Sequence, residues 1–314
     1  MAEDQGVNGD RWTDEASRLF KRAGWQKIAD SNIDVPGADG TQHGIDSLFT
    51  YEDGFNPKIQ QGVFVEAKRY AVGSFSRSKI DGWITSLDNK IRSLRQSQEF
   101  LQTYPLFSES SMTNGIFAIW VHDIDKHPDF REKFVQWLSE INVPKGRGSK
   151  FVNIRLFVLE NDKILRLASL LDTVNKWNIE NGPNSLKFYY PSSARFGSPV
   201  QELAIVNLEY IFSQFVLAKA KIPKENGDVE VTDIVFYFGR LDFNSFVRLR
   251  EALLAYDMIN RQNRLVIYKY LRQQDEFRKI QPDVIKLFND KFPREVTIKD
   301  MESFSDLPTW MINE

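Results

Sequence analysis

The sequence predicts an α/β protein: an αβββαβ core on a mixed central sheet, followed by a C-terminal, mainly helical α/β domain. Three observations predict it. Amphipathic helical stretches alternate with apolar runs of strand length, the pattern of a sheet covered by helices. Gly115 to Val121, GIFAIWV, is apolar throughout, as expected of a central strand buried on both faces. The composition, 42% hydrophobic and 27% charged over 314 residues, suits a folded chain long enough for two ordinary domains.

Asp10 to Ala23 carries Trp12, Ala16, Leu19, Phe20 and Ala23 at helical spacing, with Gly24 placed to end the helix. Trp25 to Ala29 reads as a short strand, and Asn32 to Gln42, with Pro36, Gly37 and Gly40, as a loop. Ile45 to Tyr51 and Gly62 to Tyr70 read as two strands of a hairpin. Ser78 to Tyr104 reads as one long helix, buried along Ile80, Trp83, Ile84, Leu87, Ile91, Leu94 and Phe100. After the GIFAIWV strand come a helix at Phe130 to Ile141, a strand at Val152 to Leu159 and a helix at Lys163 to Trp177.

Asn178 to Pro199 is rich in Asn, Ser, Gly and Pro and marks a boundary between domains at 1–190 and 200–314. Beyond it the pattern predicts helices at Gln201 to Ala220, Phe243 to Ile259, Arg264 to Phe277 and Pro282 to Phe292, and a strand at Ile234 to Phe238. No internal repeat is visible.

Cysteine is absent, which excludes disulfides and Cys-ligated zinc or iron–sulfur centres and fits a reducing compartment. The opening residues are polar and acidic, and no run reaches the length of a membrane span, so the expected location is cytoplasmic with no membrane contact. Net charge is −2, too small for bulk attraction to nucleic acid. It is unevenly spread. Acids outnumber Lys and Arg by 11 to 5 over residues 1–57, whereas from Lys58 to Arg95 basic residues lead by 8 to 3.

That reversal begins at a peculiar strand end. The run Val63-Phe64-Val65 finishes in Glu66, Ala67 and Lys68. Side chains at i and i+2 of a strand share a face about 6–7 Å apart, so Glu66 and Lys68 serve one centre. If the strand at Ile45 to Tyr51 pairs with this one, Asp46 comes beside Glu66. Two carboxylates and a backbone carbonyl suit Mg²⁺, and a neighbouring ammonium orients the attacking water and balances charge on a phosphate.

Helix Asp10 to Ala23 with Glu15, then Gly44-Ile45-Asp46, then Val65-Glu66-Ala67-Lys68, resembles the PD-(D/E)xK nuclease superfamily, with its restriction-endonuclease-like αβββαβ core. The resemblance covers roughly residues 9–121 and is nearest its Mrr-like and resolvase-like branches. It implies Asp46 and Glu66 as metal ligands, the Ala67 carbonyl as a further ligand, Lys68 as the residue that positions water, and Glu15 as an added acid at the metal site. It also implies Mg²⁺ or Mn²⁺ as cofactor, DNA as substrate, and endonuclease activity in bacterial defence against phage or foreign DNA. Ile45 stands where the family commonly has Pro, and the long spacing from Asp46 to Glu66 implies an enlarged hairpin around Glu52 to Gly62. Lys79 or Lys90 on the following helix could join the site. The alternative function is a non-catalytic nuclease-fold scaffold or nucleic-acid-binding subunit. A protein partner or a second copy is expected on the C-terminal domain.

Other motifs read more plainly. His43, His122 and His127 lack the spacing of a zinc hydrolase; His43 alone lies close to Asp46. The carboxylates of His122-Asp-Ile-Asp125 read as caps of the next turn. Pro144 to Lys150, PKGRGSK, is a basic loop that could touch phosphates, but it lacks P-loop spacing. The aromatic residues at Phe236 to Phe238 and Phe243 to Phe246 read as core rather than as a stacking platform for bases.

Overall fold

A computed structural model describes residues 7–141, 152–192, 199–224, 227–259, 263–270, 274–289 and 295–312. The chain divides into two compact units. One takes 1–52, 59–164 and 306–314; the other takes 53–58 and 165–305. The boundary expected at 178–199 lies inside the second unit. The basic loop at 144–150 falls outside the described residues.

The first unit opens with α1 (Val7–Arg22). Its predicted stripe is buried: Trp12, Ala16, Leu19 and Phe20 are all at most 1% exposed. Gly24 ends it with φ 89°, and the chain reverses through Gly24 N–H to Lys21 O and Trp25 N–H to Phe20 O, at 3.0 and 3.1 Å. This is a Schellman closure, which requires the left-handed conformation glycine adopts freely. Then come β1 (Gln26–Lys27), β2 (Ile33–Pro36), β3 (Gln42–Ile45), β4 (Ser47–Glu52) and β5 (Gln60–Tyr70).

The segment expected as a loop, Asn32 to Gln42, is therefore mostly a second hairpin. β2 and β3 pair antiparallel from Ile33↔Ile45 to Pro36↔Gln42, and only the Gly-containing tip at 37–41 turns. Turn residues clustered at the tip disguised the two short strands flanking it.

The long helix expected over Ser78 to Tyr104 is broken. α2 (Arg77–Leu94) stops, and α3 (Gln98–Thr103) starts afresh. Ser97 makes the break, because its hydroxyl accepts the Phe100 N–H at 3.2 Å and donates to Pro36 O at 2.7 Å. After α4 (Pro105–Ser108) run β6 (Ser111–Val121), α5 (His127–Glu140) and β7 (Arg155–Leu159); α6 (Asn161–Asn181) carries the chain into the second unit.

The first sheet has the order β1-β4-β5-β6-β7, with β5 in the middle. β1, β4 and β5 pair antiparallel; β5, β6 and β7 pair parallel. With α1 before and α2 within, this is the predicted αβββαβ core with a β2–β3 hairpin inserted. One face of the sheet meets α1, where Trp12 gives its indole N–H to Ala118 O at 2.9 Å. The other packs Phe64, Phe117 and Ile119 against Ile80, Ile84, Leu87 and Ile91 of α2 and Phe130 and Phe134 of α5.

The second unit is α/β too, with more sheet than its mainly helical expectation. It contains β8 (Leu186–Tyr190), β9 (Gln201–Leu203), α7 (Leu208–Phe212), β10 (Phe215–Pro223), β11 (Val229–Tyr237), α8 (Phe243–Ala255), β12 (Arg264–Lys269), α9 (Gln274–Asn289) and β13 (Val296–Asp300). Its sheet has the order β13-β12-β11-β10-β8-β9, parallel from β11 to β13 and antiparallel elsewhere. Two predicted helices are corrected here. Gln201 to Ala220 is two strands around a short helix, and Arg264 to Lys269 is a strand. Both errors share a cause: an apolar run buried on both sides has no periodicity to separate helix from strand. Phe236 is fully buried and stacks on Tyr268 at 5.5 Å, so the aromatic cluster is core.

Candidate active site

Asp46 sits at the joint between β3 and β4, where the chain leaves one hairpin for the main sheet. Its carbonyl is held by the Asn32 N–H at 3.1 Å and the Ser47 hydroxyl at 2.6 Å. Its side chain turns to the central strand, and Oδ2 accepts the Ala67 N–H at 2.6 Å. Strand alternation then does the rest. Phe64, Glu66, Lys68 and Tyr70 face α2, with Phe64 in the α2 core and Tyr70 stacked on Trp83 at 5.3 Å.

Lys68 Nζ stands 3.4 Å from Glu66 Oε2 and 3.8 Å from Asp46 Oδ2, so the structure brings three of the predicted site residues to one point. The other oxygen of Glu66, Oε1, accepts from Lys90 of α2, whose ammonium also donates to Gly44 O. Beside them opens a cavity of about 170 Å³, lined by Glu66, Lys68, Tyr70, Trp83 and Phe117. Burial first, and then the charge of Glu66, push the Asp46 carboxyl up to about 6, against the pull of Lys68, the Ala67 amide and Lys90. A buried carboxyl beside a second carboxylate forms a donor set that a divalent cation relieves, and hard oxygen ligands suit Mg²⁺. The residues fit the ion that the sequence motif implies.

Of the two lysines considered on α2, only Lys90 joins. Lys79 Nζ lies 4.0 Å over the Tyr70 ring. The sequence does not separate the two, because Lys79 precedes buried Ile80 as Lys90 precedes buried Ile91, three turns further along the same face.

Glu15 is not brought to this point. It is 1% exposed and paired with Arg11 Nε at 2.9 Å and Arg69 Nη1 at 3.4 Å. Arg69 follows Lys68 and so leaves the strand on the opposite, α1-facing side. The expected third acid thus pairs with Arg69 instead of with the converging carboxylates. His43 pairs with Val35 across the β2–β3 hairpin, its ring packed where Gly37 leaves no room for a Cβ. Asp123 accepts the Val72 N–H at 3.3 Å, a turn-holding contact.

His127, Glu160 and Asp162 form a second titratable cluster that sequence reading missed, with ligand atoms within 4.8 Å of one another. Arg131 already spans it, 3.2 Å from Glu160 Oε1 and 2.9 Å from Asp162 Oδ2. Burial pushes Glu160 up, but His127, the Asp162 amide and Arg131 outweigh it and hold this carboxyl below its usual range. A guanidinium in place makes this an ion-pair network rather than a cation seat.

Residues 1–163 match the family described as the GAPS4 protein PD-(D/E)XK nuclease domain. No curated protein and no solved structure matches the chain.

Proposed function

The chain belongs to the family of GAPS4 protein PD-(D/E)XK nuclease domains, and from that premise we propose that it is a Mg²⁺- or Mn²⁺-dependent endonuclease that hydrolyses phosphodiester bonds of DNA. The observation that supports this most is the convergence of Asp46, Glu66 and Lys68 on one point, with Glu66 and Lys68 lining the adjoining cavity. Asp46, Glu66 and the Ala67 carbonyl would hold the ion, which when bound stabilises negative charge on the phosphate. Lys68 would hold the attacking water opposite the leaving oxygen and donate to a non-bridging phosphate oxygen. The Ala67 amide fixes the orientation of Asp46. Phe117 and Trp83 wall the cavity and limit bulk water, which strengthens these charge interactions. Glu15 serves the site indirectly, by holding Arg69 against the back of the strand.

A freely active nuclease would cut its host's genome. We therefore place the activity in cytoplasmic defence against phage or foreign DNA, restrained in the cell by a protein partner on the Phe-rich C-terminal domain that is absent from the purified chain. Domain limits of 1–190 and 200–314 remain the proposal for how these roles divide.

The test is cleavage of supercoiled plasmid by the purified chain with Mg²⁺, with Mn²⁺ and with EDTA. Metal-dependent cutting is expected, falling by roughly a hundredfold or more in Asp46→Asn and Lys68→Ala. Undiminished cutting by Lys68→Ala would overturn the assignment. A folded wild type that binds DNA but never cuts, with or without metal, would support a non-catalytic scaffold.

A further inference from the structure

Lys90 is an expensive residue where it stands. Its side chain is 13% exposed, on a helix edge that otherwise buries Leu87, Ile91 and Leu94. Lysine is seldom buried without a specific partner. Here its ammonium has two: Glu66 Oε1 and the carbonyl of Gly44, two residues before Asp46. Lys68 faces the remaining oxygen of Glu66. Glu66 is thus gripped on both oxygens, by lysines from two different elements. The charges acting at this point are Asp46 and Glu66 against Lys68 and Lys90, which sum to zero.

We propose that Lys90 is a counter-ion that keeps the carboxylate pair closed to free divalent cations, so that metal is held well only once nucleic-acid phosphate is present. The inference rests on the nuclease reading of Asp46 and Glu66 and goes beyond it by naming the order of binding. With both lysines in place the protein alone offers a divalent cation no net negative charge. A phosphate arriving at the cavity adds that charge and gives each ammonium another anion to face. Metal and DNA then bind with mutual support, and each raises the affinity of the other. Lys90 acts here through Glu66 as a positioning residue, and its charge is the feature that matters.

The sign of its effect separates this role from a structural one. If Lys90 merely braced Glu66, its loss would weaken metal binding. As a counter-ion, its loss strengthens it.

The experiment is calorimetric titration of Mn²⁺ alone into the full-length chain, without DNA, at about pH 7.5. Wild type, Lys90→Met, Lys90→Gln, Lys90→Arg and Asp46→Asn are compared, each after a thermal melt shows it folded. Lys90→Met preserves volume. Lys90→Gln keeps a donor for Glu66 and Gly44 and covers the case in which the methionine variant fails to fold. Tightening of roughly tenfold or more is expected in both neutral variants, with no tightening in Lys90→Arg. Adding an uncleavable phosphorothioate duplex should narrow the gap between wild type and the neutral variants. Unchanged or weaker Mn²⁺ binding in folded Lys90→Met and Lys90→Gln overturns the proposal. Equal binding by Asp46→Asn and wild type instead overturns the metal-site reading on which it rests.

Discussion

Asp46 holds its proton up to about pH 6 in the folded chain because burial and Glu66 oppose its charge, whereas an unfolded Asp releases it near 3.8. The folded state therefore binds the extra proton between those values, and stability falls as pH rises through that window. Above about pH 6 the chain carries the full cost of a carboxyl raised from 3.8 to about 6, on the order of 2–3 kcal/mol. Asp46→Asn should remove it. Its side-chain oxygen still accepts the Ala67 N–H, and the repulsion with Glu66 is gone. Urea unfolding at about pH 7.5 should show the variant more stable than wild type, with the difference vanishing below about pH 4. A less stable Asp46→Asn at neutral pH would mean that Lys68 and Lys90 already compensate this carboxylate. An acid that costs stability where it sits is a mark of a functional site.

At the scale of elements, the α1 contact with β5 turns on Glu15. Removing its charge leaves Arg69 and Arg11 facing a neutral amide in a buried position, so Glu15→Gln should cost about 1–3 kcal/mol by denaturant unfolding. Mn²⁺ titration of the same variant should match wild type, because Glu15 meets Arg69 and not Glu66. A loss of metal binding without a loss of stability would return Glu15 to the site. The α2–α3 corner is a second case. Ser97→Ala loses the cap on the Phe100 amide and the bond to Pro36 O, and about 1–2 kcal/mol should follow in thermal or urea unfolding.

These elements also explain what the sequence made legible. Asp46, Glu66 and Lys68 were readable because a polar triplet closing an apolar strand breaks the local pattern and needs a reason. The partner of Glu15 was not readable, because the motif gives an order of residues and not the side of the sheet. Arg69, one position past Lys68, decided that, and a one-residue step in a strand reverses direction. Lys90 was visible only as one of two candidates. Eleven residues apart on α2, Lys79 and Lys90 share nearly one angle of the helix, so only their positions along it, fixed when β5 is laid against α2, separate them.

Over the whole molecule, the alternation of helices and strands carried the α/β class into both units. The first unit was read nearly element by element because its strands are bounded by Gly, Asn and Pro and its helices are amphipathic. The second resisted because β10, β11 and β12 form the middle of a six-stranded sheet. Strands covered on every side are uniformly apolar, and Phe215 to Ala220 then offers nothing to choose between helix and strand except its short length and its aromatic and β-branched start.

The central place of β5 has a bearing on how this protein is made. All three converging side chains, and Lys90 with them, are translated within residues 46–90, but the strand that carries two of them has β6 along its second edge. Until residues 111–121 leave the ribosome, β5 is an open edge whose backbone N–H and C=O groups on that side are unpaired, a poor platform for holding charged groups in register. A growing chain thus carries every residue of the candidate site well before it can bring them together.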